Sequence, residues 1–245
     1  MNLPPLISEP LIALLGEQCY ATLVQDLNVT DVECIKYAIS KGLGLGIVLG
    51  GSIVKVPQIL TILKSKSAEG LSMSSYLLET LSYAITLAYN LRQGNPFSTF
   101  GEVLFIMLQN VAIMLLILFY GRQYRAMFFT LFNFAGFLHC LCNVKIVPSW
   151  ALASLYAAAI PLSLASKIPQ IFSNLANKST GQLSVFAVIT YFGGSVARVF
   201  TTMTELDDQL MLGGVILAAI LNGVLLLQVF LYWGNKVESR QTKTD

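Results

Sequence analysis

Lys55-Val56-Pro57-Gln58-Ile59 returns 112 residues later as Lys167-Ile168-Pro169-Gln170-Ile171. The same offset pairs Lys66-Ser67 with Lys178-Ser179, Leu71-Ser72 with Leu183-Ser184, Asn110 with Asn222 and Tyr120 with Tyr232, without a gap. A Pro-Gln dipeptide can recur by chance, but a register held from Lys55 to Tyr120 does not. The chain is an internal duplication, and such a repeat frames every other reading.

Both copies lie in apolar surroundings. Charged residues make up 11% of the 245 and hydrophobic ones 55%, with a mean hydropathy of +0.69. A soluble domain carries roughly 25% charged residues, so this chain lacks the polar side chains to cover a water-facing surface. Seven windows approach the ~20 apolar residues that span a bilayer: 37–60, 71–91, 99–120, 127–146, 149–172, 183–203 and 210–233. In hydrocarbon the backbone must satisfy itself, so the spans are expected as helices. The offset covers four spans, an even number, so the two copies face the same way. The expected fold is an all-α membrane protein of seven transmembrane helices. Two parallel three-helix repeats (36–121 and 148–233) flank a linker helix (122–147), a 3+1+3 layout, between an N-terminal segment (1–35) and a tail (234–245).

Loop charge gives an orientation. Lys64, Lys66, Arg122, Arg125, Lys178, Lys236, Arg240 and Lys243 fall on one side. Glu9, Glu17, Asp26, Asp31, Glu33, Glu205, Asp207 and Asp208 fall on the other, opposed by Lys36, Arg92 and Lys145. Basic loops stay cytosolic. The N-terminus is therefore expected to be lumenal or extracellular and the C-terminus cytosolic. Residues 1–35 lack the basic start and long apolar run of a signal peptide; an interfacial helix and a plain tail are the two readings. Asn28-Val29-Thr30 is a sequon too close to the first span to expect use. Cys19 and Cys34 could bridge in an oxidising compartment, but free thiols are the expectation. A net charge of +2 gives no ground for a nucleic-acid partner. The chain shows no catalytic constellation, P-loop or metal-ligand spacing, so neither an enzyme nor a cofactor is expected.

The polar residues inside the spans carry the functional reading. Pro57 and Pro169 remove an N–H and free the carbonyls of Ile53 and Ala165; Gln58 and Gln170 supply amides beside them. Matching sites in both repeats suggest paired hinges rather than one static kink. Lys55 and Lys167 either snorkel to the interface or form a pair of cations for an anionic head group. Arg198 and Glu79 lie within spans, where charge marks function by default. Glu102 is a second possible partner for Arg198. Asn110 and Asn222, on spans 3 and 7, either fasten helices together or line a polar cavity. His139 reads as a hydrogen-bonded helix residue. Gly42, Gly46 and Gly50 stand four apart and predict a close-packing face, echoed at the same offset by Ser154 and Ala158.

Two Pro-Gln motifs in a 3+1+3 layout resemble the PQ-loop proteins, relatives of the SWEET sugar transporters and the KDEL receptor. Four further blocks look like that family's branch for dolichol-linked mannose use: Ser40-Lys41-Gly42-Leu43-Gly44-Leu45-Gly46-Ile47-Val48, Lys66-Ser67-Ala68-Glu69-Gly70-Leu71-Ser72, Thr180-Gly181-Gln182-Leu183-Ser184, and Phe192-Gly193-Gly194-Ser195 with Ala197-Arg198. The likeness runs from about residue 17 to 235. It implies a multi-pass endoplasmic reticulum protein needed to use dolichol-phosphate-mannose and dolichol-phosphate-glucose as lumenal donors for N-glycans, GPI anchors and O-/C-mannosylation. The partners it implies are those dolichol-phosphate-linked sugars, the surrounding membrane lipids and the resident glycosyltransferases. On this reading Arg198, Lys55 and Lys167 meet the phosphate, and Asn110, Asn222 and Glu79 bond sugar hydroxyls. Two alternatives stay open. One is a non-transporting chaperone that holds or organises the donors. The other is a SWEET-like carrier of a small solute, with Glu79 coupling protons.

Overall fold

In the computed structural model, which describes residues 4–164, 167–180 and 185–232, the described residues contain helices and no strand. α1 spans Pro5–Tyr20, followed by a π-helical turn, Ala21–Gln25. α2 (Val32–Ile53) and α3 (Val56–Ser65) form the first broken helix of repeat 1. α4 (Met73–Gln93) and α5 (Gly101–Tyr120) complete that repeat. α6 spans Tyr124–Cys142. The second repeat follows as α7 (Ser149–Leu164) with α8 (Lys167–Asn177), then α9 (Val185–Glu205) and α10 (Gln209–Leu231).

Local chemistry sets the ends. The Asp31 carboxylate accepts from the N–H groups of Glu33 and Cys34 at the start of α2, and Asp208 accepts from Met211 at the start of α10. Such caps satisfy N–H groups that have no helical partner. Ser72 caps α4, and Gly94 ends it at φ 70°, a conformation that costs glycine nothing. The duplication shows in the backbone as well. Lys66 and Lys178, one offset apart, close their helices in the left-handed region at φ 52° and 46°.

Six stretches among the described residues are long and apolar enough to cross a membrane: Val32–Ser65, Gly101–Tyr120, Tyr124–Cys142, Ser149–Asn177, Val185–Glu205 and Gln209–Leu231. α4 is not one of them. The window 71–91 was expected as a span, and α4 has the length, at 21 residues. Its serines, threonines and tyrosines, together with Glu79 and Arg92, lower its apolar character.

The main core joins both repeats. Ala84, Leu87 and Ala88 of α4, Met107 of α5, Leu141 of α6 and Leu152 of α7 form one buried cluster. At its edge Tyr89 stacks on Tyr156, with ring centroids 4.3 Å apart. The Tyr89 hydroxyl donates to Asp208 at 2.7 Å. A smaller cluster of Val188, Leu225 and Val229 holds α9 to α10. Arg92 fastens the α6–α7 connection, donating to the carbonyls of Leu141 and Val147 and to the Ser149 hydroxyl.

Two expectations are corrected. Cys19 and Cys34 are bonded to each other rather than free, tying the end of α1 to the first turn of α2. The close-packing glycines are not Gly42, Gly46 and Gly50, around which a Cβ would meet nothing within 4 Å. They are Gly44, where a Cβ would come within 2.7 Å of the Ser98 carbonyl oxygen, and Gly51, where it would overlap Glu102 Cβ. Seven-residue spacing puts those two on the face of α2 turned to α5.

Candidate functional site

Polar side chains gather at two levels of the helix assembly. The first joins the repeats. Ser40 and Lys41 lie on α2, Ser98 just before α5, and Arg198 and Glu205 on α9. Glu205 accepts from Ser40 Oγ at 2.6 Å, from Ser98 Oγ at 2.7 Å and from Lys41 Nζ at 2.6 Å. The Lys41 and Glu205 side chains are 7% and 0% exposed. Beside them Arg198 Nη2 lies 2.6 Å from Glu102 Oε1, and Arg198 Nη1 donates to the Ser98 carbonyl at 3.1 Å. Two cations face two carboxylates, so the buried cluster is neutral. That is how charges persist away from water. Glu102 Oε2 and Thr202 Oγ1 are buried there without a hydrogen-bond partner. The acid that pairs with Arg198 is therefore Glu102, not Glu79.

The second level is the break between α2 and α3. Without the break, Lys55 N–H would bond the carbonyl of Gly51, four residues back. Instead the Gln109 side chain of α5 takes both groups. Its Oε1 accepts from Lys55 N–H at 2.8 Å, and its Nε2 donates to the Gly51 carbonyl at 2.8 Å. Gln58, expected to satisfy the opened backbone, makes no side-chain hydrogen bond among the described residues; Gln170 likewise makes none. Pro57 lies in the first turn of α3, where a proline costs least. Pro169 holds the corresponding place near the start of α8. The Ala165 carbonyl lies outside the described residues.

The duplicated lysines have different partners. Lys55 Nζ pairs with Glu79 Oε2 at 2.6 Å, and Tyr83 donates to the other Glu79 oxygen at 3.2 Å. The offset puts Tyr191 where repeat 1 has Glu79, and Leu221 where it has Gln109. Lys167 therefore has no carboxylate partner among the described residues. Its Nζ donates to Asn222 Oδ1 at 2.5 Å, and Asn222 Nδ2 donates to the Tyr191 carbonyl at 3.2 Å. Asn110, the mate of Asn222, is 0% exposed, and neither atom of its amide is hydrogen-bonded. A cavity of about 180 Å³ lies between the repeats, walled by Ser82, Tyr83 and Thr86 of α4, Tyr156 and Ile160 of α7 and Val215 of α10. His139 is exposed near the end of α6, apart from both levels.

The PQ loop repeat family matches residues 39–99 and again 152–211, windows spaced as the duplication requires. This chain is a PQ-loop repeat protein. It is also similar to human solute carrier family 66 member 3, at 28% identity over 184 residues, covering 68% of this chain and 81% of that protein. The family and this relative are membrane carrier-type proteins, not enzymes.

Within this PQ-loop chain, sequence reading missed Lys41, Glu205, Ser40, Ser98 and Gln109. Lys41 carried a usable signal, a charge inside an apolar window, the same signal that singled out Arg198. Glu205 ends its span and so reads as a loop residue. Gln109 has no polar mate at the repeat offset, so a reading guided by symmetry passes over it.

Proposed function

We propose that this protein is a polytopic membrane protein of the endoplasmic reticulum that binds dolichol-phosphate-mannose and dolichol-phosphate-glucose and presents or reorients them for lumenal use. It would thereby serve N-glycan, GPI-anchor and O-/C-mannosylation pathways. The finer likeness is to the mannose-P-dolichol utilization defect 1 protein, through the Lys-Ser-Ala-Glu-Gly-Leu-Ser and Gly-Gly-Ser-x-Ala-Arg blocks. In this reading α4 is the seventh span; its 21 residues cover about 30 Å at the helical rise. The N-terminus is lumenal and the C-terminus cytosolic, as the basic loops ask.

The observation that carries the proposal is Lys167. Of the three cations suited to a phosphate, Lys55 is engaged by Glu79 and Arg198 by Glu102. Among the described residues Lys167 is held by a neutral amide. It sits at the start of α8 with no carboxylate beside it among the described residues, and a lipid phosphate would supply that anion while the polyprenyl chain stays in the bilayer.

The test is transbilayer exchange and binding of a dolichol-phosphate-mannose analogue by the purified protein in liposomes. Tyr191→Glu places a carboxylate where repeat 1 has Glu79. It is expected to reduce binding about tenfold or more, as Lys167→Met does, while Tyr191→Gln does not. Binding unchanged by both Lys167→Met and Tyr191→Glu would overturn the assignment. Binding without exchange would select the chaperone form of the reading. A second reading, carriage of a small solute, is favoured by the cavity between the repeats and by the similarity to a solute carrier. Protein-dependent uptake of a free sugar, without lipid exchange, would select it.

A further inference from the structure

α6 is the helix least enclosed by its neighbours. Of its 19 residues Leu141 is the buried one, and it packs chiefly on α4 and α5. Between α4 and α6 runs an apolar groove of about 640 Å³. Met73, Leu77 and Leu81 form one wall, spaced four apart on a single face of α4. Ala126, Phe129 and Phe137 lie along the facing side of α6, with Thr130 between them. At 1.5 Å per residue the groove is roughly 12–17 Å long. That is close to one leaflet of a ~30 Å hydrocarbon core.

The end of the groove at Met73 and Ala126 is basic. Arg122, which turns the chain at φ 56°, and Arg125 line a depression of about 440 Å³ that shares Ala126 with the groove. Lys66 and Glu69 line a neighbouring depression together with Gly121. Arg122 and Arg125 are exposed and form no ion pair among the described residues. Three cations deeper in the helices differ: Lys41, Lys55 and Arg198 each face a carboxylate.

We propose that this groove is a binding site for one anionic phospholipid of the bilayer. An acyl chain lies between α4 and α6, and the phosphate and acidic head group sit on Arg122 and Arg125. The fit rests on three features of one site: an apolar channel one leaflet long, its opening along the lipid-facing helix α6, and two uncompensated guanidinium groups at its mouth. Guanidinium groups match phosphate oxygens with paired hydrogen bonds. Basic residues at an anionic membrane surface add to that attraction. The site is distinct from Lys167, which lies on α8, and does not depend on the donor-lipid reading.

The test is native mass spectrometry of the full-length protein titrated with phosphatidylserine or phosphatidylcholine. Phosphatidylserine is expected to be retained at least tenfold more strongly. The pair Arg122→Gln/Arg125→Gln should bring that preference close to unity, since about two basic contacts are worth up to roughly 30-fold. Thr130→Trp, which fills the channel, should reduce retention of both lipids. Lys145→Gln removes a charge elsewhere on the molecule and should leave the preference intact, which separates a local effect from a general loss of charge. All variants must elute as a single species in gel filtration. Equal retention of the two lipids would overturn the proposal, as would a preference that survives loss of both arginines. So would displacement of phosphatidylserine by an equimolar polyprenyl phosphate, or self-association of the chain through α6 that Thr130→Trp abolishes.

Discussion

Glu205→Gln tests the claim that a buried ionic cluster clamps the two repeats together. The substitution keeps the side chain's size and one carbonyl acceptor but removes the charge. Lys41 Nζ, 7% exposed in its side chain, would lose its carboxylate and keep the Ser98 hydroxyl and the face of the Tyr37 ring. Breaking a buried pair from one side costs about 3–5 kcal/mol, because the remaining charge is stranded. For a chain of this size each kcal/mol shifts the melting temperature by roughly 2–4 °C, so Glu205→Gln should melt roughly 6–20 °C lower. The assay is thermal unfolding of purified protein in detergent, followed by size-exclusion chromatography. The partner substitution Lys41→Met should cost a similar amount, since it strands the carboxylate. The double variant should recover to within about 1–2 kcal/mol of the parent, because the neutral amide introduced by Glu205→Gln can still serve Ser40 and Ser98. Strictly additive losses would refute the reasoning, since contacting residues should couple by at least ~0.5 kcal/mol. So would single variants that melt within about 2 °C of the parent.

Three further outcomes follow from the geometry. Gln109→Leu should cost about 2–4 kcal/mol in denaturation, because it orphans both Lys55 N–H and the Gly51 carbonyl; Leu221→Gln, at the mate position, should bring no matching gain. Gly51→Ala should sharply reduce the folded yield, since its Cβ would overlap Glu102 Cβ, whereas Gly50→Ala, one residue away and open to space, should be neutral or slightly stabilising; equal yields would contradict the packing. Cys19→Ser should cost about 3 kcal/mol for a loop of this length, with a sequence separation of 15, and should speed proteolysis between α1 and α2, read as fragments on a reducing gel.

Much of the architecture was legible because apolar length and chain punctuation are local. The windows 99–120 and 210–233 became Gly101–Tyr120 and Gln209–Leu231, bounded by residues that cap or break a helix. The break at Pro57 was legible too, but its location and repair were not. The helix parts at Val54 and Lys55, and the group that bridges the gap comes from α5, 54 residues away in sequence. The candidate site was legible only in part. Arg198 was recognisable because charge inside an apolar run demands a reason. Its partner Glu102 and its neighbour Glu205 both stood at span ends, where a carboxylate reads as solvated. Whether an end residue turns inward depends on the helix beside it, here α2 with Lys41, and pattern along one helix does not carry that information. The glycine stripe failed in the same way: four-residue spacing suggested Gly42, Gly46 and Gly50, but the face that meets α5 carries Gly44 and Gly51.

The divergence of the two copies carries more functional meaning than their identity. Both repeats keep a lysine before the proline and an asparagine on the third helix, so the two sites began alike. In repeat 1, Glu79 takes the lysine, Gln109 closes the helix break, and Asn110 is left buried without a partner. In repeat 2, Tyr191 and Leu221 stand at those positions, so Lys167 turns to Asn222 and keeps its charge uncompensated by any described carboxylate. One copy is thus ionically sealed and the other is not. The hydrogen bonds that join the repeats gather at the other level, around Glu205 and Asp208. Lys41–Glu205 crosses from one repeat to the other, whereas Lys55–Glu79 and Lys167–Asn222 each lie within one repeat. The repeats are thus joined at the Lys41–Glu205 level, while the two lysine sites have diverged inside them.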